Sequence, residues 1–110
     1  MKKIRDITIV IPTLGEKTLT KCLNSIDSGS TLPKTIFIII PKEYSKNLIN
    51  IKIPKNAEII YTNLKGQVSQ KIIGFKNAKT KFIMQLDSDI ILSKNTIEHL
   101  YNFISINTKK

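Results

Sequence analysis

Tryptophan is absent from this 110-residue chain, and aromatic residues make up only 6% of it. Isoleucine and leucine must therefore supply most of the packing that large rings provide elsewhere. A single cysteine, Cys22, excludes an intramolecular disulfide and fits a reducing compartment. The single histidine, His99, has no second histidine or cysteine near it in sequence, so nothing points to zinc. No G-x-x-x-x-G-K-S/T run occurs, which excludes a P-loop. No apolar stretch approaches the roughly 20 residues that cross a bilayer. Met1–Asp6 is charged and leads straight into a strand, so no signal peptide is expected and the chain reads as cytoplasmic. Internal repeats, linkers and low-complexity tracts are missing too, which leaves one domain over residues 1–110.

What the chain has in excess is lysine. Its 18 Lys+Arg against 8 Asp+Glu give a net charge of +10, and Arg5 is the one arginine. Such a balance suits nucleic acid, an anionic membrane surface or an anionic small ligand. The lysines are scattered along the sequence, and arginine, the better residue for bidentate contacts to phosphates and bases, is nearly missing. A solvated lysine surface is the simpler reading, and nucleic acid is not expected as a partner.

Ile7–Ile11 is β-branched throughout and stops at Pro12, which cannot continue a central strand. Leu19, Cys22, Leu23 and Ile26 fall on one face of a helix that Gly29 is placed to end. Ile36–Ile40 reads as a second buried strand, stopped by Pro41. Within 42–56, Ile49, Ile51 and Ile53 alternate as in a short edge strand, although Pro54 and polar flanks suit an ordered loop equally. Glu58–Tyr61 reads as a third strand. From Gly66, the apolar residues Val68, Ile72 and Phe75 recur at helical spacing to about Ala78. Lys81–Leu86 is the fourth strand. Ser93 then offers an N-cap to a helix with Ile97, Leu100, Tyr101 and Ile104 on one face. The order β-α-β-β-α-β-α, with strands this apolar, specifies an α/β fold: a Rossmann-like, mostly parallel sheet of about four strands with helices on both faces.

The chain is organised around Lys81–Leu92, K-F-I-M-Q-L-D-S-D-I-I-L, where an apolar run stops at two aspartates one residue apart. A carboxylate pair at a strand end is costly unless solvated, paired or bound to a cation. Right-handed crossovers constrain the winding, and if strands two and four lie on opposite sides of strand one, the switch point falls between strands one and four. Ligands of open α/β sheets sit there, beyond the carboxyl ends of the strands. The ends in question are Pro12-Thr13 and Asp87-Ser88-Asp89. The alternative is that Asp87 starts a turn and Asp89 is merely exposed.

Three segments occur in order at workable spacing: I-T-I-V-I-P-T-L-G-E, G-Q-V-S-Q-K-I-I-G-F-K-N-A and F-I-M-Q-L-D-S-D-I-I-L. Together they resemble the N-terminal, nucleotide-sugar-binding half of a family 2 glycosyltransferase with the GT-A fold, from about Ile7 to Ile104. The resemblance implies a glycosyltransferase that takes a nucleotide-diphosphate sugar donor and Mg²⁺ or Mn²⁺. Its acceptor is open (glycan, lipid-linked or protein), and transfer is expected with inversion. Pro12, Thr13 and Glu16 would lie beside the nucleoside, Asp87 on the ribose side and near the metal, and Asp89 on the metal itself. Lys71 sits where the family often has arginine, Gly74 matches a family glycine, and Ile72 replaces an asparagine. Where relatives end the second strand in an aspartate-rich segment, this chain reads Pro41-Lys42-Glu43, with Glu43 a weak substitute. The catalytic base and acceptor elements of such enzymes follow the D-x-D, so this chain is expected to stop short of them, to be inactive alone and to self-associate through uncovered apolar surface. Peripheral membrane contact stays open. Rival readings are a non-catalytic module for a nucleotide diphosphate or a partner, and a basic nucleic-acid-binding domain.

Overall fold

The structure is a computed structural model that describes residues 2–63 and 65–107. Its elements are β1 (Lys3–Pro12), α1 (Thr18–Asp27), β2 (Thr31–Pro41), a 3-10 helix (Lys42–Leu48), β3 (Ala57–Thr62), α2 (Gln67–Asn77), β4 (Phe82–Gln85) and α3 (Thr96–Asn107). The four strands form one sheet in the order β3-β2-β1-β4, and every pairing is parallel. The expected α/β fold is what forms, with strands two and four on opposite sides of strand one.

Alternation along the strands sorts side chains to the two faces. Ile7, Ile9 and Ile11 of β1 and Ile36, Ile38 and Ile40 of β2 join Leu19, Cys22, Leu23 and Ile26 of α1 and Ile97 of α3 in the main core. Val10, Phe37 and Ile39 face the other way, against Ile73 of α2 and Ala78 just past its end. Each fully buried isoleucine or leucine contributes about 1.5–3 kcal/mol relative to exposure, so the α1 side carries most of the stability. Phe82 and Tyr101 tie β4 to α3 edge to face, with centroids 5.7 Å apart. Among the described residues no helix is long and apolar enough to cross a membrane.

Several details differ from expectation. Residues 42–56 form no strand: the 3-10 helix buries Leu48, and Ile51 and Ile53 pack on the core from a loop while Ile49 stays exposed. Gly29 follows the end of α1 without a positive φ. The last helix starts at Thr96, not beside Ser93, whose hydroxyl pairs with the Thr96 hydroxyl at 2.6 Å. Leu100 turns outward, 39% exposed. Strand β4 is short and lies at the sheet edge, so Ile83 is 43% exposed where burial on both faces was expected.

The largest departure is α2. Val68, Ile72 and Phe75, expected to face the core, are 69%, 47% and 44% exposed, and the helix buries Gln70 and Gly74 instead. Gly74 explains the rotation. A Cβ there would collide with Val10 and meet Ile39 at 3.1 Å, so the helix lies on the sheet through its one residue without a side chain.

Candidate functional site

Parallel register sets the site. Val10 pairs with Gln85, and Leu86 N–H donates to the Val10 carbonyl at 2.9 Å. One step further, Pro12 and Asp87 leave the sheet side by side at the switch point. Thr13 N–H still donates to the Ile39 carbonyl at 3.0 Å, so the loop after β1 starts from a held position.

That loop folds on Glu16. Its Oε1 accepts from the Thr13 hydroxyl at 2.7 Å, the Leu14 amide at 3.1 Å and, across the crevice, the Ser88 hydroxyl at 3.2 Å. Gly15 N–H donates to the Thr13 hydroxyl at 3.0 Å, and Gly15 adopts φ +78°, a left-handed conformation that glycine alone takes freely. Partial burial pushes the Glu16 carboxyl up. The hydrogen bonds from Thr13, from its own and the Leu14 amide and from Ser88 outweigh that and hold it below its ordinary value. Glu16 thus clasps the end of β1 to the D-S-D turn.

The turn closes through Ile90 N–H and the Asp87 carbonyl at 3.1 Å. Asp87 Oδ1 accepts from Gln85 at 2.7 Å and more weakly from Gln67, the first residue of α2, at 3.4 Å. Asp87 and Asp89 are both exposed. Beneath them lies Cys22, pushed up to about 11 by burial and then by the negative charge of Asp89. It is a buried thiol of the core, as its place on the apolar face of α1 implied.

Two adjoining clefts open here. The smaller, about 220 Å³, is lined by Pro12, Thr13, Leu14, Gln67 and Gln70, with Lys65 at its mouth. The larger, about 410 Å³, is lined by Pro12, Glu16, Thr18, Gln67 and the Asp87-Ser88-Asp89 turn. The structure therefore brings together Pro12, Thr13, Glu16, Asp87 and Asp89. Lys71 is partly buried on α2 and lines neither cleft. Its neighbour Gln70 takes the place by the site: 3% exposed, it donates to the carbonyls of Thr13 at 3.0 Å and Ile39 at 2.6 Å. Gln70 and the Gln85–Asp87 contact were missed in the sequence. The available signal was Gln70 four residues before Gly74, which puts both on one helix face.

Three carboxylates border the larger cleft, but Glu16 is occupied by its three donors. Among the described residues no group of three or more His, Cys, Asp or Glu is placed to enclose a metal. Two open carboxylates fit a hard cation that takes one or two protein oxygens and completes its shell with phosphate oxygens.

The family model described as "Glycosyl transferase family 2" matches residues 8–109. The solved structure of S. aureus TarS 1-349 aligns with a TM-score of 0.71 at 21% identity, covering 96% of this chain and 33% of that one. A second S. aureus TarS structure aligns with a TM-score of 0.70 at 21% identity, covering 96% of this chain and 20% of that one. The chain thus spans about a third or less of these two structures. No curated protein sequence matches it.

Proposed function

The chain belongs to glycosyl transferase family 2, and from that premise we propose that its crevice holds the nucleoside diphosphate of a sugar donor. The observation that carries the reading is the pair Asp87 and Asp89 at the switch point, across from Pro12, Thr13 and Glu16. The smaller cleft, walled by Thr13, Leu14 and Gln70, takes the nucleoside. Asp87, held by Gln85, faces the ribose. Glu16 keeps the two loops at a constant separation and so acts by positioning. Asp89, with Asp87, would hold Mg²⁺ or Mn²⁺, which when bound neutralises charge on the departing diphosphate as a Lewis acid. Membership of the family supports, as the reaction, displacement of that diphosphate from the anomeric carbon by an acceptor hydroxyl, with inversion. Neither the acceptor site nor the general base is assigned to a residue of this chain.

Titration calorimetry with uridine or guanosine diphosphate, with and without Mn²⁺, tests the assignment in wild type and Asp89→Ala. Wild type should bind in a metal-dependent way. Asp89→Ala should weaken that binding at least about tenfold, or 1.4 kcal/mol, with unfolding unchanged because the carboxylate is exposed. Binding that is equally strong without metal, or intact in Asp89→Ala, removes the assignment.

A further inference from the structure

Lysines that look dispersed in sequence are gathered by the parallel topology. Because all four strands run the same way, their starts lie at one end of the sheet, opposite the carboxylate crevice. Lys2 and Lys3 stand at the start of β1, Lys34 near that of β2, Lys55 just ahead of β3, and Lys79 and Lys81 just ahead of β4. All six are exposed. Pairing of β1 with β2 begins at Lys3↔Thr31, whereas β4 joins only at Ile7 and β3 only at Ile36. The β1–β2 ribbon therefore projects past its neighbours by about four residues, on the order of 13 Å. Ile4, near its tip, is 66% exposed.

Three open grooves flank this ribbon. One of about 570 Å³ sets Lys2, Lys3 and Arg5 against Ser30 and Asn102. One of about 370 Å³ contains Ile4, Lys34 and Lys55, and one of about 510 Å³ contains Lys34 and Lys79. Lys34 lines both of the last two. Asp6, Asp27, Glu58 and Glu98 lie at the same end. Asp6 accepts the Lys81 amide at 3.1 Å and Glu98 the Ser30 hydroxyl at 2.8 Å, and the cations outnumber them. Glu16, Asp87 and Asp89 stand at the far end, where Lys42, Lys46 and Lys65 offset them, so the excess of positive charge lies at the strand starts.

We propose that the lysine-bearing end of the sheet docks on an anionic lipid bilayer, with the carboxylate crevice turned away from it. The charge is almost all lysine, a point charge suited to a diffuse anionic surface more than to bidentate base or phosphate contacts. Phe82 and Tyr101, at this end, meet edge to face with Arg5 4.7 Å over Tyr101, so neither ring is open on both faces to stack with a nucleic-acid base. An exposed isoleucine among lysines is the pairing that interfacial binding uses.

Co-sedimentation of the full chain with vesicles decides this. Vesicles of phosphatidylcholine mixed with phosphatidylglycerol should bind the chain at low salt and release it at high salt, and pure phosphatidylcholine should not bind. Lys2→Gln/Lys3→Gln/Lys34→Gln should lower the partition coefficient by about fivefold per lysine. Ile4→Ser should lower it further, while Lys42→Gln/Lys46→Gln, at the opposite end, should leave it unchanged. All of these residues are exposed, and matching unfolding curves confirm intact folds. Equal binding to pure phosphatidylcholine, equal loss in the Lys42/Lys46 control, or tighter binding to a duplex oligonucleotide at physiological salt overturns the proposal.

Discussion

Helices α1 and α2 cover opposite faces of one sheet on different terms. Helix α1 buries Leu19, Cys22, Leu23 and Ile26, each at most 1% exposed. Helix α2 buries an amide and a glycine, packs Ile73 partly against the sheet, and turns Val68, Ile72 and Phe75 toward solvent. The face under α1 is a core, where close packing of aliphatic groups is the whole requirement. The face under α2 runs out into the crevice, where the carbonyl of Thr13 takes a side-chain donor and that of Ile39 a second one besides Thr13 N–H. Gln70 is the donor to both, and Gly74 lets the helix come close enough for Gln70 to reach. The side of the sheet that stabilises and the side that positions the site are thus distinct.

The contrast is sharpened most by truncating α1. Leu23→Ala removes a fully buried side chain and should cost about 2–5 kcal/mol, read as a shifted urea midpoint with constant slope. Amide exchange should speed up across the whole sheet, because the loss is global.

Gln70→Leu tests the other face with a similar volume. It leaves the buried Thr13 carbonyl without the Gln70 amide, which should cost about 1–3 kcal/mol. Exchange of the Gly15 and Leu14 amides should rise more than that of α1 amides. A uniform rise would mean that Gln70 is merely core. Gly74→Ala comes next. The added methyl must displace Val10, at about 1–3 kcal/mol for overpacking, but alanine returns about 1 kcal/mol of helix propensity. The net loss should be smaller than in Gln70→Leu, and a stabilised variant would show that α2 does not press on the sheet there.

The same contrast explains what the sequence made legible. The α1 face and the four strands followed from β-branched runs, prolines and helical spacing, because an aliphatic core imposes period and composition together, whereas the switch point rested on placing strands two and four on opposite sides of strand one. Pro12, Thr13, Glu16, Asp87 and Asp89 converge because register and handedness leave a four-stranded parallel sheet few options. The α2 face was misread because apolar periodicity assumes that burial selects hydrophobes. Here close approach at Gly74 and carbonyls at two strand ends selected the orientation, and Val68, Ile72 and Phe75 gave a false helical face. Lys71 was singled out by resemblance, yet its neighbour Gln70 is the residue at the crevice. The end of β4 was read as doubly buried because its run is apolar, but the strand lies at the sheet edge. Ile83 and Ile91 are left 43% and 62% exposed.

The smallest expected effect on stability is the most discriminating. Ile72→Ser/Phe75→Ser replaces two large apolar residues on α2, a change that in α1 would unfold the domain. Ile72 and Phe75 are 47% and 44% exposed, so nearly half of each is already in water, and serine ranks beside isoleucine and phenylalanine in helix propensity. Each substitution should cost about 1 kcal/mol or less, roughly half of what full burial of such a side chain contributes. The readout that should move is association. Exposed apolar residues on α2, β4 and α3 favour self-contact, and the double substitution should shift sedimentation velocity profiles toward monomer at matched concentration. A loss of several kcal/mol would mean that Ile72 and Phe75 are core after all. The rotation of α2 set by Gly74, and with it the placement of Gln70 at the crevice, would then be wrong.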